Sequence, residues 1–330
     1  MLPSLRWVWF LLLASLAGGC FTGRRAGKPV PRTGEEIVVC GRFFHTGTPV
    51  VTWLDPGGYD AYRVERRFAP AEQADWKASQ AANPQLETPN RYGFRRTTAL
   101  PPVELERVRT NGWDLPTLQR VVDQFVLHFD ASGTSRRCFQ VLHDERDLSV
   151  HFLLDVDGTL YQTLDLKERA WHATSANSRA VGIEIAQIGA VPVAQQKRLE
   201  AWYAPQAGGP PRLTFPEWIG PTGIRTPGFV GHPARPEPIV GRIQNETLVQ
   251  YDFTPEQYVA LGRLAKSLTR IFPALRPEFP RDASGAVRRE KLSADELNRF
   301  HGILGHYHVQ AEKLDPGPAF DWERLQKSLR

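Results

Sequence analysis

The stretch GILGHYHVQAEKLDPGPAFDW, Gly302 to Trp322, places His306, His308, Lys313 and Asp315 within ten residues. Imidazole and carboxylate are zinc-binding groups. Hydrolysis at zinc needs three such protein donors, a fourth position open to water, and a base nearby. The remaining groups must come from elsewhere in the chain. His128, closing the apolar run VVDQFVLHF, is one candidate. A lone histidine at the end of a buried strand is more often structural than a ligand, and it is the downstream cluster that reverses that reading. His308 stands as a rival donor to His306 and Asp315. Glu184 in VGIEI has isoleucine on both sides. On a strand it points away from both, which gives either a surface carboxylate or one whose pKa is raised by its apolar surroundings.

The elements that must position these groups are legible from about Val121 onward. VVDQFVLHF reads as a buried strand, SRRCFQVLHDERD as a helix, and SVHFLLD with TLYQTLD as a hairpin about Asp157-Gly158. AVGIEIAQI reads as a further strand. TPEQYVALGRLAKSLTRIF reads as a helix capped by Thr254, with Tyr258, Leu261, Leu264, Ala265 and Leu268 at helical spacing. Strands alternating with helices predict an α/β fold, a layered α/β/α domain with a central mixed β-sheet. Upstream, residues 37–119 read less clearly. VVCGRFF and VVTWL suggest short strands, GGYDAYRVERRF a turn, and AEQADWKASQAAN a polar helix, with no function legible. An insertion at about residues 188–252, rich in Pro, Gly, Trp and Tyr, reads either as an ordered loop beside a ligand groove or as a packing excursion.

Four blocks, VLHFDASG, LSVHFLLDVDGTLYQTLDLKERAWHA, NSRAVGIEIAQ and GHYHVQAEKLDPGPAFDW, together resemble the type 2 N-acetylmuramoyl-L-alanine amidase family. That family also holds peptidoglycan recognition proteins and bacteriophage amidases. The resemblance covers roughly the C-terminal two-thirds of the chain. It implies Zn2+ held by His128, His306 and Asp315, Glu184 activating water, and Lys313 stabilising the oxyanion. It places His151, His172, Trp171 and Asn177 along the cleft or behind the metal. The implied reaction is hydrolysis of the lactoyl amide between N-acetylmuramic acid and L-alanine, in peptidoglycan or muropeptides. Two departures stand out. His308 occupies a position where the family commonly has aspartate, and the His306 to Asp315 spacing is one shorter than in some relatives. The alternatives are a peptidoglycan-binding lipoprotein without catalysis, or another zinc peptidase. Intact ligands argue against the first, and the absence of HExxH against the second.

The first 20 residues pair Arg6 with the apolar run Trp7–Leu13 and small residues before Cys20, the pattern of a secretory signal rather than a span of about 20 apolar residues. Ala17, Gly18 and Gly19 before Cys20 resemble a lipobox, which implies lipidation at Cys20; an ordinary cleaved signal is the other reading. Residues 21–36 read as a flexible tether, 37–119 as an N-terminal extension, and 120–330 as the zinc amidase domain. The expected location is the cell envelope, membrane-anchored through the lipid. In a Gram-negative host Phe21, in place of aspartate, fits an outer-membrane anchor facing the periplasm. Cys40 and Cys138 are either bridged or two thiols. The chain has 41 Lys and Arg against 36 Asp and Glu, net +5, spread without a basic stripe. Nucleic acid is therefore not an expected partner, and a monomer is the default.

Overall fold

Six short runs rich in Val, Ile, Leu and Phe pair into one sheet. In chain order they are β1 (Val50–Thr52), β2 (Gln124–Phe129), β3 (Phe152–Leu154), β4 (Leu160–Gln162), β5 (Ala180–Ile185) and β6 (Gly302–Gly305). Their spatial order is β6-β2-β5-β3-β4-β1. β6, β2, β5 and β3 run parallel to one another, β4 returns antiparallel to β3, and β1 lies parallel to β4. The sheet is mixed, as expected. The computed structural model describes residues 30–330. The leader, Cys20 and the first part of the expected tether lie outside the described residues. Thr33–Arg330 form one compact unit.

Parallel strands need cover on both faces, which explains their near-continuous apolar runs. Helices α1 (Ser135–Phe139, continued as a π-helix over Gln140–Glu145), α2 (Pro255–Ile271), α3 (His306–Val309) and α4 (Trp322–Leu329) follow in chain order. Phe125, Leu127, Phe152, Val181, Ile183 and Ile303 meet Leu261, Leu264 and Leu268 of α2 and Leu325 of α4 on one face. On the other face, Leu153 and Tyr161 pack against Cys138 and Phe139 of α1. Helix, sheet and helix thus form three layers. Each fully buried leucine contributes about 1.5–3 kcal/mol. α2 starts where the sequence predicts: Thr254 Oγ1 accepts from the Gln257 N–H at 3.1 Å, and Gln257 Oε1 accepts from the Thr254 N–H at 3.0 Å. This reciprocal pair satisfies two otherwise orphaned N–H groups.

One expectation changes on contact with the structure, and two that were left open are filled in. VVCGRFF is two strands rather than one, Glu36–Val39 and Arg42–His45, joined at Cys40 (φ 50°) and Gly41 (φ 70°). Two consecutive positive φ values make a tight hairpin turn. Cys-Gly gives little warning of it; the turn is held by the Asp165 carboxylate, which accepts both N–H groups at 2.8 and 2.7 Å. Cys40 and Cys138 are unpaired thiols. The insertion holds strands of its own. Val191–Pro192, Ile239–Ile243 and Glu246–Gln250 form a three-stranded antiparallel sheet, and Tyr203–Gln206 pairs with Gly209–Leu213 in a hairpin. Val191, Leu199, Trp202, Tyr203, Ile219 and Val249 give this part a small core of its own.

Residues upstream of β2 are woven into the same unit. β1 supplies the edge strand. The guanidinium of Arg95, fully buried, donates to the carbonyls of Leu166, Ser178 and Ala180 at 2.9–3.2 Å and reaches His151 Nε2 at 3.1 Å. A buried charge is tolerable only when its donors are met in this way.

Candidate metal and catalytic site

The parallel register of β6, β2 and β5 determines which residues can meet. Gly305 is level with Leu127, so the next residue, His306, is level with His128, and His128 pairs with Glu184. In a parallel pair, matched residues project to the same face, so the three side chains emerge side by side at the carboxyl ends of adjacent strands. That edge is where layered α/β folds build their sites. Leu127, Ile183 and Ile185 anchor the opposite face among the α2 contacts. Asp315 arrives from the loop after α3, its carbonyl accepting the Tyr307 N–H at 3.2 Å.

His128 Nδ1 lies 2.9 Å from His306 Nδ1 and 2.8 Å from Asp315 Oδ2, and His306 Nδ1 lies 3.0 Å from the same oxygen. All three residues are buried, and they form the one group of metal-binding side chains found among the described residues. Bonds of about 2.0–2.1 Å at tetrahedral angles would hold donors about 3.3 Å apart, close to these separations. The far ring nitrogens are also engaged. His306 Nε2 is 2.8 Å from Gln310 Oε1, whose amide is oriented by donation to Glu312, so the His306 proton sits on Nε2 and the Nδ1 lone pair is free. His128 Nε2 is 3.0 Å from His172 Nδ1; donation in that direction likewise frees His128 Nδ1. Such outer partners orient metal-binding imidazoles. The residues present therefore fit a zinc ion.

Electrostatics point the same way. Burial, reinforced by the neighbouring His306, lowers the His128 pKa to about 4, so its ring is neutral near pH 7. Burial works to raise Asp315, but the imidazoles against its carboxyl, His306 foremost, hold it well below the usual carboxylate range. Glu184 differs. Burial first, then the charges of Asp315 and Asp130, push its pKa well above the ordinary value. Its Oε1 stands 4.0 Å from His128 Nδ1, beside the three donors, and its side chain keeps 13% exposure. A carboxyl so placed, with its proton affinity raised, is a candidate general base and acid.

A cavity of about 220 Å³ opens on these groups, lined also by Lys313, Trp171, His172, Asp130 and Arg146. Of the residues singled out from sequence, His128, His306, Asp315, Glu184, Lys313, Trp171 and His172 therefore share one cavity. Asn177 lines the adjoining cleft and accepts the His172 and Ala173 N–H groups at 3.1 and 2.6 Å, fixing the turn that carries His172. The His172 ring lies directly over Gly182. A Cβ there would sit 2.5 Å from the ring, so only glycine fits two residues before Glu184.

His151 takes the inner of the two places that the resemblance allows it. It is fully buried outside the cleft, its Nδ1 accepting the Gly182 N–H at 3.1 Å and its Nε2 set against Arg95 and the Glu168 carbonyl. It touches His172 edge-on at 5.9 Å but cannot reach a substrate. His308 is likewise excluded as a rival donor. Its Nδ1 accepts the Gly305 N–H at 2.9 Å and its Nε2 donates to the Arg288 carbonyl at 2.7 Å, leaving no lone pair. Sequence reading missed Gln310, although its place four residues after His306 is the helical spacing for a contact. It also missed Asp130, which accepts the Ser132, Gly133 and Gln187 N–H groups and ties the end of β2 to the start of the insertion.

Residues 118–318 match the family model described as N-acetylmuramoyl-L-alanine amidase. No curated protein sequence shows significant similarity to the chain. Solved structures similar to it include an AmpD derivative, at 16% identity over 73% of this chain and 90% of that one, with a TM-score of 0.33. The N-acetylmuramyl-L-alanine amidase AmiD from E. coli, solved with anhydro-N-acetylmuramic acid-L-Ala-D-gamma-Glu-L-Lys, is 17% identical, covering 63% and 57%, with a TM-score of 0.37. The endolysin amidase LysCS from Clostridium intestinale is 16% identical, covering 64% and 86%, with a TM-score of 0.32.

Proposed function

The chain belongs to the N-acetylmuramoyl-L-alanine amidase family, and from that premise we propose that it hydrolyses the lactoyl amide joining N-acetylmuramic acid to L-alanine in peptidoglycan or its fragments. The observation that carries the proposal is the convergence of His128, His306 and Asp315 within 3.0 Å of one another, with Glu184 beside them. These three residues would hold zinc. When bound, the ion supplies Lewis acidity toward water and the scissile carbonyl.

The chain's own groups do the rest. Glu184 takes a proton from the attacking water as its oxygen bonds to the lactoyl carbon. Lys313 offers an ammonium to the developing oxyanion, a contribution of about 3–4 kcal/mol in comparable sites. As the C–N bond breaks, Glu184 returns the proton to the departing alanine amine, leaving a free stem peptide and the muramic carboxylate. Gln310 and His172 keep the two imidazoles in the tautomers that binding requires. A purely binding role would not need a base with a raised pKa next to a complete donor set.

The test is incubation with purified muropeptides, with and without a chelator, products being read by mass. Chelator-sensitive release of intact stem peptide with a free L-alanine amine supports the reading; no release by folded, zinc-loaded protein rejects it. Export and lipid anchoring through Cys20 belong to the same proposal, on the strength of the leader sequence. If Cys20→Ala leaves the protein in the membrane fraction, lipid at that cysteine is not the anchor.

A further inference from the structure

The metal cavity continues in two directions, which differ in the side chains they offer. On one side, the two cations Arg146 and Lys313 line a cleft together with Asn177, Gln310, Leu148 and Trp171. On the other, a groove of about 430 Å³ shares Phe129 and Ala131 with the metal cavity and runs under Trp202 and Trp218 of the insertion, with Arg198 on its lining. Trp218 is 67% exposed, the most exposed tryptophan among the described residues with large exposed side chains. It is nevertheless firmly mounted. It sits in the turn Glu217–Ile219, whose Ile219 is buried, and its ring meets the edge of Trp202 at 5.9 Å. Trp202 in turn is buried against the loop that follows β2. A Cβ on Gly133 would lie 2.1 Å from its ring, and Gly133 has φ +77°. The position admits only glycine, and the tryptophan pair is registered to the strand that carries His128.

We infer that the insertion builds a saccharide subsite, in which Trp218 stacks on a sugar ring of the glycan flanking the scissile bond while the stem peptide leaves through the Arg146 and Lys313 side. This rests on the amidase reading and adds direction to it. A pyranose presents an apolar C–H face and a polar rim, and an exposed indole set at the mouth of an apolar groove matches the face, with Arg198 available to the rim hydroxyls. A peptide carries carboxylates, which match the pair Arg146 and Lys313 better than the single Arg198 of the tryptophan groove. Continuity of both clefts with one metal cavity is what a substrate with a sugar on one side of the amide and a peptide on the other requires.

The experiment titrates chitotetraose, a peptide-free oligosaccharide of N-acetylglucosamine, and separately a free tripeptide beginning with L-alanine, into the full chain and into Trp218→Ala. Tryptophan fluorescence and calorimetry are the readouts. Trp218 is exposed, so the variant should keep the wild-type circular dichroism spectrum. The expected result is at least tenfold weaker chitotetraose binding in the variant, with tripeptide binding unchanged within twofold. The inference is overturned if the wild type does not bind chitotetraose, if the variant binds it equally well, or if Trp218→Ala weakens the tripeptide instead. Neither titration depends on turnover. A saccharide subsite without stem-peptide release would leave this inference standing and remove the amidase reading; release with no effect of Trp218 would do the reverse.

Discussion

At the scale of single residues, proton affinity separates the roles. Glu184 and Asp315 are carboxylates around one imidazole, yet burial raises the first while two imidazoles lower the second. Environment, not residue type, makes one a base and the other a ligand. Glu184→Gln is accordingly expected to keep its metal and lose about 10²–10⁴ in kcat, with an unchanged rate removing Glu184 from the chemistry. A second buried carboxyl makes a pH prediction. Asp155, at the end of β3, is pushed up to about 8, chiefly by burial. Its Oδ1 accepts the Val156 N–H, while Oδ2 has no hydrogen-bond partner. The unfolded carboxyl titrates near the ordinary 3.8, so the folded chain holds an extra proton between about pH 4 and 8. Stability contributed by that proton is full below the lower value and is lost as pH rises through the upper one. Asp155→Asn should therefore gain stability relative to wild type on going from pH 5 to pH 8 in denaturant titrations. A constant difference would show that Asp155 titrates normally.

At the scale of elements, the site exists because three parallel neighbours end together, and one glycine sets the depth of the imidazole behind them. Gly182→Ala would push the His172 ring off β5 and release the far nitrogen of His128, with an expected 10- to 100-fold loss of metal affinity. Competition with a chelating dye reads this directly, and wild-type affinity would mean that His172 does not position His128. Much of this level was legible from sequence. Apolar runs broken by Asp-Gly and by Thr254-Pro255 locate the strands and α2, because local periodicity and capping chemistry decide them. The Cys40-Gly41 turn and the sheet inside the insertion were not legible. The first is imposed by a carboxylate 125 residues away, and the second pairs short strands whose prolines and glycines read as loop. The resemblance allows His151 a place along the cleft or behind the metal. Its neighbours show why it belongs in the interior: both ring nitrogens are already met by Gly182, Glu168 and Arg95.

At the scale of the molecule, the region with no legible function proves structural in one residue at least. Arg95 reaches carbonyls 71 to 85 positions further along the chain and braces His151, which lies against His172. No local pattern announces such a residue, since its partners are backbone atoms assembled by folding. Arg95→Ala would leave several buried carbonyls unmet at about 1–3 kcal/mol each. Loss of at least about 3 kcal/mol of stability is expected from denaturant midpoints, and a near-neutral variant would contradict the bracing role. The family match begins at residue 118, yet the edge strand β1 and Arg95 lie before it in the same compact unit. The site's donors were readable as types and spacings, whereas their support was readable only from the fold. The most direct test of the whole account is metal content measured alongside product mass for wild type and Asp315→Ala. One zinc per wild-type chain with stem-peptide release, both lost in the variant while its fold persists, is the predicted result. A variant that keeps both its zinc and its activity would contradict the assignment of His128, His306 and Asp315 as the metal-binding centre.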